Sequence, residues 1–422
     1  MPAPGLSLCE WLRRLETLSP KEIDLGLERV AEVLDRMALE RPARVILVGG
    51  TNGKGSSVEM LRALLAGSGI TGTYTSPHVL RYNERIAVCG RPAVDEDIVA
   101  AFERVEAARG DVVLTYFEFG TLAALAVFEA AGVETAILEV GLGGRLDAVN
   151  AVDPDACLIT SVSLDHCEWL GHDVESIGRE KAGIMRAGKP AVFAAADMPT
   201  SVSLHAERIG AQLVRAGRDY SWAAADDGRW SWRGQNLELS GIASPGLRGP
   251  MQLQNAAGAL ALVEALGLRE LLGLEHVSRA LGNLRLPGRM QVVEDQQRWI
   301  FDVAHNPGAA GALAASLEQY EAPAAVAIVG ILDDKDVEGI VAPLSKLVGN
   351  WIAVAAASPR AIEAAELARR IANATGHACL VADSPDDAIA NAREIAGAGD
   401  SVLVTGSFFT VGPFLERLSA SD

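Results

Sequence analysis

The sequence predicts an α/β protein in which a mainly parallel sheet flanked by helices forms a large first domain and a smaller α/β domain follows. Two observations support this fold class. Strand-like apolar runs alternate with helix-like segments along most of the chain, the pattern of parallel sheets built from strand–helix–strand units. The 422 residues are also enough for two or three domains with sizeable cores.

The composition excludes several classes of protein. The 55 acidic and 37 basic residues give a formal net charge of −18, which argues against binding to nucleic acid or to acidic membrane surfaces. No run of about 18 apolar residues lacks a charge, so we expect no membrane span. The five cysteines form no CxxC pair and are odd in number, which predicts free thiols in a reducing, cytoplasmic compartment.

The first domain is predicted to begin with an amphipathic helix and to continue as alternating strands and helices. A glycine-rich turn separates its first strand from a helix that ends at Gly67. Tryptophans among polar residues predict an antiparallel hairpin over residues 220–239. The other predicted elements are strands at 44–48, 135–140 and 156–162, and helices at 57–66 and 120–131.

A domain boundary is predicted at residues 284–290, where a helical pattern gives way to Pro287 and Gly288. We therefore expect domains at 1–287 and 288–422. Beyond the boundary the alternating pattern restarts, which predicts a Rossmann-like α/β domain. Its predicted elements are strands at 299–303, 324–329, 351–355 and 401–405, and a helix from residue 308.

The most specific motif is the glycine-rich turn after the first strand. Glycines let the backbone turn its N–H groups inward, and the following helix N-terminus adds partial positive charge, so the turn suits a phosphate. Lys54 supplies a point charge, and Ser56 or Ser57 a hydroxyl for magnesium. The turn departs from GxxxxGK[ST], since Val48 replaces the first glycine and Gly55 follows the lysine. The alternative is a glycine-rich turn that binds nothing.

A carboxylate stands at the end of the strand predicted at 135–140. A side chain at the carboxyl end of a parallel strand beside a phosphate loop is placed to bind nucleotide-bound Mg²⁺, which makes Glu139 a candidate ligand. The glycines at 141–144 also match part of a dinucleotide-binding fingerprint. Its sixth position is Leu146, however, and no strong helix follows.

The turn GTNGKGS resembles the phosphate loop of the Mur ligase superfamily, ATP-dependent enzymes that join a carboxylate to an amine. Within that superfamily it is most similar to the folylpolyglutamate and dihydrofolate synthases, and the resemblance covers nearly the whole chain. The resemblance implies that the turn binds ATP through Gly50, Thr51, Asn52, Gly53, Lys54, Gly55 and Ser56.

The same resemblance implies a site for two Mg²⁺ ions. Ser76, in a YTSPH segment, matches a serine that coordinates magnesium, and His166, in an LDH segment, matches a ligand of a second ion. By chemistry alone a histidine favours zinc or iron. Lys181, in REKAGI, matches a lysine that carbon dioxide carbamylates, which turns a cation into a carboxylate. With Glu139 these residues complete the implied metal set.

Further segments match nucleotide-binding positions of the family. Asn255 lies in a QNAA segment, and Arg289 lies in a GR-Q motif whose arginine reaches the ATP phosphates. Asp302 and His305 belong to a DxAHNP segment. By pattern alone the Asn-Pro of that segment is an ordinary turn and helix start. The catalytic residues that the resemblance implies are Lys54, His166, Lys181 and Arg289.

Three segments match the pocket that holds the acceptor in the family. A flat pterin ring needs an aromatic or apolar wall and a few hydrogen-bonding groups. By pattern alone Phe117 serves equally well as a core residue. The implied acceptor residues are Ile23, Asp24 and Leu25, then Thr115, Tyr116, Phe117 and Glu118, and finally Leu146, Asp147 and Ala148.

The resemblance thus implies a monomeric ligase that uses ATP, Mg²⁺ and an acyl phosphate. It would join L-glutamate to 7,8-dihydropteroate, giving dihydrofolate, and add γ-linked glutamates to tetrahydrofolate and other folates. The alternatives are a monofunctional folylpolyglutamate synthase, a Mur-type ligase of peptidoglycan precursors, and a P-loop switch or ATPase. A peptidoglycan ligase needs a UDP-binding module, for which the roughly 40 residues before the first strand leave little room.

Overall fold

A computed structural model describes residues 5–19, 21 and 23–419, and the chain divides into two compact units. The first unit comprises Met1–Ser244 and Leu253–Leu284, and the second comprises Pro245–Gln252 and Arg285–Asp422. The main division thus falls just before the predicted boundary. The segment Pro245–Gln252, which the sequence analysis places in the first domain, packs with the second unit. Both units are α/β, and the predicted fold class is confirmed.

The first unit is built on a mainly parallel sheet with the strand order β4-β3-β2-β5-β1-β6-β7-β8. Only the β2–β3 and β3–β4 pairs are antiparallel. Its strands are β1 (Arg44–Gly49), β2 (Thr71–Tyr74), β3 (Ile86–Val88), β4 (Arg91–Pro92), β5 (Thr135–Glu139), β6 (Ala156–Ile159), β7 (Pro190–Phe193) and β8 (Gln212–Arg215).

Helices cover this sheet, so its central strands are mostly apolar and almost entirely buried. Within the described residues, no helix combines the length and the apolar character that a membrane crossing requires. The helices are α1 (Leu8–Leu18), α2 (Glu28–Met37), α3 (Lys54–Leu64), α4 (Asp95–Arg109), α5 (Tyr116–Ala130), α6 (Cys167–Leu170), α7 (Val174–Ala182), α8 (Thr200–Ile209), α9 (Met251–Ala265) and α10 (Leu274–Gly282).

The register of the central strands decides where the functional loops lie. Strand β1 pairs in parallel with β5 on one side and with β6 on the other, and β2 pairs in parallel with β5. The carboxyl ends of β2, β5, β1 and β6 therefore lie next to one another at one edge of the sheet. Glu139 is the last residue of β5, and the segments that follow β2, β1 and β6 contain Ser76, the phosphate loop and His166 respectively.

A second, antiparallel sheet is attached to α9. The predicted hairpin proves to be three strands, β9 (Ser221–Ala224), β10 (Arg229–Arg233) and β11 (Glu238–Ala243). The Trp232 indole donates to the Ala257 carbonyl of α9 at 3.2 Å. The buried Glu264 carboxylate accepts from the backbone N–H groups of Gln235 and Asn236, both at 2.9 Å. The sheet thus holds the helix that carries Asn255.

The second unit has one sheet with the order β12-β13-β17-β14-β15-β16, parallel except for the β12–β13 pair. In the Pro245–Gln252 segment, the Arg248 guanidinium lies 5.6 Å from the Tyr320 ring. The elements are β12 (Gln291–Glu294), β13 (Arg298–Phe301), β14 (Ala324–Val329), β15 (Val348–Val354), β16 (Cys379–Ala382), β17 (Ser401–Thr405), α11 (Pro307–Gln319), α12 (Val337–Val341), α13 (Ala364–Thr375), α14 (Pro385–Ile395) and α15 (Phe408–Ser419).

Close packing of α5 on β2 yields a stability prediction. A Cβ added at Gly72 would lie 2.7 Å from the Phe128 ring, so Gly72→Ala should overpack the core and lower the free energy of unfolding by about 1–3 kcal/mol. Denaturant unfolding of the whole chain measures this. The matched control is Gly282→Ala at the end of α10, where the nearest atom lies 3.9 Å from the added Cβ. Equal stability of the two variants would contradict the packing argument.

Candidate active site

The phosphate loop leaves β1 and enters α3 within four residues. Helix α3 begins at Lys54, three residues before the predicted start, which puts this lysine in its first turn. The Lys54 amine donates to the Thr51 carbonyl at 3.1 Å. Ser56 and Ser57 are buried in the same turn. The N-terminus of a helix, loop N–H groups and a lysine therefore lie together, as the motif predicts.

Two hydroxyl side chains after β6 brace this loop, and the sequence analysis does not identify them. Thr160 donates to the Asn52 carbonyl at 2.6 Å, and the Ser161 hydroxyl accepts from the Asn52 N–H at 3.1 Å. Thr51 adds a hydrogen bond from the Ser163 N–H at 3.0 Å. Consecutive hydroxyl residues after the strand next to the phosphate-loop strand are the signal that would have found them.

Close approach explains two of the loop glycines. Gly50 has φ +144°, and a Cβ there would lie 1.9 Å from the Thr160 hydroxyl. Gly53 has φ +85°, and a Cβ there would lie 2.6 Å from Oδ1 of Asn255. Asn255 is buried on α9 and therefore lies directly against the loop. The structure brings this predicted nucleotide residue to the phosphate loop.

Ser76 and Glu139 also come together. The Ser76 N–H donates to Oε2 of Glu139 at 3.2 Å, and the Glu139 side chain is buried. The same Oε2 lies 3.6 Å from the position that a Cβ would take at Gly55, so the carboxylate faces the start of α3. A hydroxyl and a buried carboxylate beside the loop are the hard oxygen donors that Mg²⁺ prefers.

His166 and Lys181 lie on neighbouring segments of the same unit. His166 has φ +50° just before α6, with its Nε2 3.9 Å from Oδ1 of Asp165. Lys181 is in the last turn of α7, with its side chain buried. Burial and, secondarily, the charge of Lys54 lower the pKa of the Lys181 amine to about 7.

The chemical types of these side chains suit Mg²⁺, but the side chains are not already gathered into a metal-binding cluster. Within the described part of the chain, no group of three or more His, Cys, Asp or Glu side chains is arranged to hold a metal ion. The oxygen donors that do meet are Ser76 and Glu139. A carbamate on Lys181 would add another oxygen donor, and it would remove a buried cation from the neighbourhood of Lys54.

The predicted acceptor residues fall into a structural group and a group around a buried carboxylate. Thr115 caps α5 by accepting from the Glu118 N–H at 3.3 Å, and Glu118 accepts from the Thr115 N–H at 2.7 Å. Glu118 also forms an ion pair of 2.9 Å with Arg29, which in turn lies 3.2 Å from Asp24. Glu118 thus ties the half-buried segment of residues 23–25 to α5.

Asp147 is the buried carboxylate of the acceptor residues. It accepts from the N–H groups of Leu142 at 2.8 Å and Val149 at 3.1 Å. Burial raises its pKa to about 7, against these hydrogen bonds and the charge of Lys54. Leu146 is half-buried and Ala148 is buried beside it. The Asp147 carboxyl is therefore held in place by backbone donors at a buried position.

Aromatic rings line the neighbouring part of the unit. The half-buried Phe117 lies 5.7 Å from Tyr74, and a Cβ at Gly141 would lie 2.7 Å from its ring. Tyr116 packs edge-on against Tyr82 at 6.0 Å. Phe117 therefore contacts the glycine segment after β5, where an aromatic wall was expected.

The glycines at 143 and 144 serve packing rather than a dinucleotide. A Cβ at Gly144 would lie 2.9 Å from the Glu180 carbonyl of α7, and one at Gly143 would lie 2.9 Å from Leu170. The segment continues into a short 3₁₀ turn at Ala148–Ala151 instead of the helix that a pyrophosphate site requires. Close approach to α7 accounts for these glycines.

The second unit forms its own cluster of predicted residues. Asp302, after β13, accepts from the N–H groups of Met290 and Ala304, both at 3.0 Å, and so shapes the turn that carries Arg289. Burial raises the pKa of Asp302, while Arg289 opposes the shift. Phe408, which the sequence analysis misses, lies 5.1 Å from the Arg289 guanidinium and 5.9 Å from the His305 ring. The signal for it is its place after β17, the neighbour of β13.

Comparisons with known proteins agree with this geometry. The family model of the Mur ligase middle domain matches residues 48–263, and that of the Mur ligase glutamate ligase domain matches residues 288–408. The dihydrofolate synthase/folylpolyglutamate synthase of Escherichia coli (strain K12) is 42% identical over 422 residues, covering 99% of this chain and 97% of that protein. That of Mycobacterium tuberculosis is 32% identical, covering 92% of this chain and 89% of that protein.

Solved structures give the same result. The E. coli FolC complex with DHPP and ADP has a TM-score of 0.93 at 41% identity and covers 100% of this chain and 99% of that chain. The bifunctional enzyme of Yersinia pestis with AMPPNP and Mn has a TM-score of 0.90 at 41% identity, with 99% and 100% covered. The expected resemblance is confirmed: this chain belongs to the Mur ligase family, among the dihydrofolate synthase/folylpolyglutamate synthases.

Proposed function

We propose that this protein is an ATP-dependent ligase that joins L-glutamate to 7,8-dihydropteroate, giving dihydrofolate, and adds γ-linked glutamates to tetrahydrofolate. The observation that carries the proposal is the meeting of a phosphate loop with Ser76 and Glu139 at one edge of the sheet. The relatives that share the fold support it, since their structures hold ADP, AMPPNP, Mn, DHPP or L-glutamate.

The phosphate loop binds the ATP phosphates. Its inward N–H groups, the α3 N-terminus and the Lys54 ammonium all offer positive charge to an anion. Thr160 and Ser161 hold the loop carbonyl and N–H of Asn52, so the loop need not reorganise when ATP arrives. Asn255 contacts the loop at Gly53 and is placed to touch the nucleotide.

Ser76 and Glu139 would hold one Mg²⁺ ion, and His166, Glu139 and carbamylated Lys181 would hold a second. Mg²⁺ bound there would neutralise phosphate charge and polarise the reacting oxygens. For the second unit we propose Arg289, Asp302 and His305 as nucleotide ligands. Asp302 shapes the turn that presents the Arg289 guanidinium, and this planar group suits a phosphate.

The reaction has two steps. The acceptor carboxylate attacks the γ-phosphorus of ATP, the bond to the bridging oxygen breaks, and ADP and an acyl phosphate form. The amine of L-glutamate then attacks the acyl carbon, loses a proton and expels phosphate, leaving an amide. Lys54 and the loop N–H groups hold the charge that develops on the transferring phosphoryl group. Positioning of anions against these groups supplies most of the rate enhancement.

The acceptor pocket is formed by Phe117, Asp147 and the residues that α5 and the segment at 23–25 present. Phe117 offers a ring face to a flat pterin, and Asp147 offers a carboxylate for its nitrogen donors. The Thr115–Glu118 cap and the Arg29 ion pair keep this wall in place. The pocket contributes orientation, because the reacting carboxylate lies at the far end of the pteroate from the pterin.

We further propose a cytoplasmic monomer without nucleic-acid partners. All five cysteines are free thiols, which suits a reducing compartment. The net charge of −18 disfavours polyanions. Light scattering on the purified chain measures the oligomeric state directly.

A phosphate-release assay separates the proposal from its alternatives. With ATP and Mg²⁺, release should rise above background only when L-glutamate is present together with an acceptor, either dihydropteroate or tetrahydrofolate, because glutamate completes the turnover. Release without glutamate would favour a P-loop switch or ATPase, and release with a UDP-linked acceptor would favour a peptidoglycan ligase. Activity with tetrahydrofolate alone would identify a monofunctional folylpolyglutamate synthase.

Removal of the phosphate-loop cation should abolish most of the ligation. Lys54→Ala is expected to lower kcat with dihydropteroate about 100-fold or more, because the developing phosphoryl charge loses its local cation. Steady-state kinetics measure this. Lys189→Ala is the matched control, since its amine forms an exposed ion pair of 3.1 Å with Asp155. Activity of Lys54→Ala at the control level would refute the role of the loop.

Lys181 should react with carbon dioxide. Because burial lowers the pKa of its amine to about 7, half of the amine is neutral near that pH and more is neutral above it, and the neutral amine attacks CO₂. We expect a ¹³C carbamate signal with ¹³C-bicarbonate in the wild type and in Lys189→Ala, but not in Lys181→Ala. Turnover of Lys181→Ala should be strongly reduced. Normal turnover of that variant, without any effect of bicarbonate on the wild type, would exclude the carbamate.

A further inference from the structure

Arg85 is a half-buried cation that the reaction described above does not use. Its guanidinium lies 5.5 Å from the centre of the Tyr82 ring and 5.5 Å from the centre of the Tyr116 ring, so both rings make cation–π contacts with it. Its Nε donates to Nδ1 of His78 at 2.9 Å, which orients the group in its plane. Three contacts therefore hold this guanidinium in one position.

The guanidinium lacks an anion within the part of the chain that the structure describes. No Asp or Glu of that part forms an ion pair with Arg85, and no hydrogen bond reaches its two Nη groups. The neighbouring Glu84 is otherwise engaged, since its carboxylate accepts from the N–H groups of Val79, Leu80 and Arg81 at 2.7–2.8 Å. An oriented guanidinium with two available donors is the geometry that binds a carboxylate in a bidentate manner.

The backbone of Arg85 pairs with the segment that carries Ser76. The Thr75 N–H donates to the Arg85 carbonyl at 2.8 Å, and the N–H of the next residue, Ser76, donates to Glu139 at 3.2 Å. The guanidinium of Arg85 contacts Tyr116, which begins α5 next to Phe117 in the predicted acceptor wall. The cation therefore lies against this wall, on a segment that is hydrogen-bonded to the predicted magnesium-binding segment.

The two acceptors differ in one charged group. Dihydropteroate carries a single carboxylate, and the reaction consumes it. A folate acceptor that already carries glutamate has the reacting γ-carboxylate and a second, α-carboxylate three carbons away, which does not react. A cation at the wall of the acceptor pocket can therefore contact a group that only the glutamylated acceptor has.

We propose that Arg85 binds the α-carboxylate of the terminal glutamate of folate acceptors, and so serves chain extension but not the first ligation. The inference rests on the proposed function. Tyr82, Tyr116 and His78 act as positioning residues that hold the guanidinium. Loss of a charge-assisted, bidentate contact is expected to raise KM about 10- to 100-fold for the glutamylated acceptor.

The test measures both ligations on the full chain. Arg85→Gln should raise KM for tetrahydrofolate about 10- to 100-fold while KM for dihydropteroate stays within about twofold of the wild type. Arg85→Lys should recover part of the loss, since it keeps the charge. The control is Arg91→Gln, an exposed arginine on the adjacent strand β4, which should change neither KM.

A modified acceptor provides the decisive comparison. Tetrahydrofolate with its α-carboxylate converted to an amide should be a poor acceptor for the wild type, and Arg85→Gln should not discriminate it from tetrahydrofolate. Equal loss of both ligations by Arg85→Gln, together with a lower unfolding midpoint, would mean that Arg85 only supports the aromatic cluster. Failure of the wild type with both acceptors would instead overturn the proposed function.

Discussion

The approach of Gly50 to Thr160 is the contact on which the nucleotide site depends. The parallel register of β1 with β6 brings the start of the phosphate loop so close to the next strand end that no side chain fits at position 50. The same closeness lets the Thr160 hydroxyl reach the Asn52 carbonyl. Because β5 pairs with the other side of β1, the strand pairing alone places Glu139 beside the loop. The pairing of β1 with its two neighbours therefore positions the phosphate loop, the Thr160 hydroxyl and the Glu139 carboxylate together.

The site concentrates buried charge in a protein with an acidic surplus. Lys181, Asp147 and Glu139 are all buried at or near the edge that carries the phosphate loop. Burying charged groups costs free energy unless partners compensate, and the pKa values of Lys181 and Asp147 move to about 7 as a result.

The sequence was informative where chemistry follows local patterns. Strand, glycine turn, lysine and helix occur in one continuous stretch, so the phosphate loop and Glu139 could be predicted from residue types and order. Thr160, Phe408 and Arg85 were not predicted, because each contacts a residue distant in the chain. Thr160 contacts Asn52, Phe408 contacts Arg289, and Arg85 contacts Tyr116. Pairing across the sheet decides these positions.

The assignment of Pro245–Gln252 to the second unit means that neither unit is one continuous stretch of chain. The polypeptide passes from one unit to the other after Ser244, after Gln252 and after Leu284. A truncation at the main boundary would remove Tyr320, the contact of Arg248. It would also remove the unit with which the first residues of α9 pack, and α9 is the helix that carries Asn255. A cut of the chain at this single point would therefore separate Pro245–Gln252 from the unit with which it packs, so two more cuts are needed to divide the chain along its units.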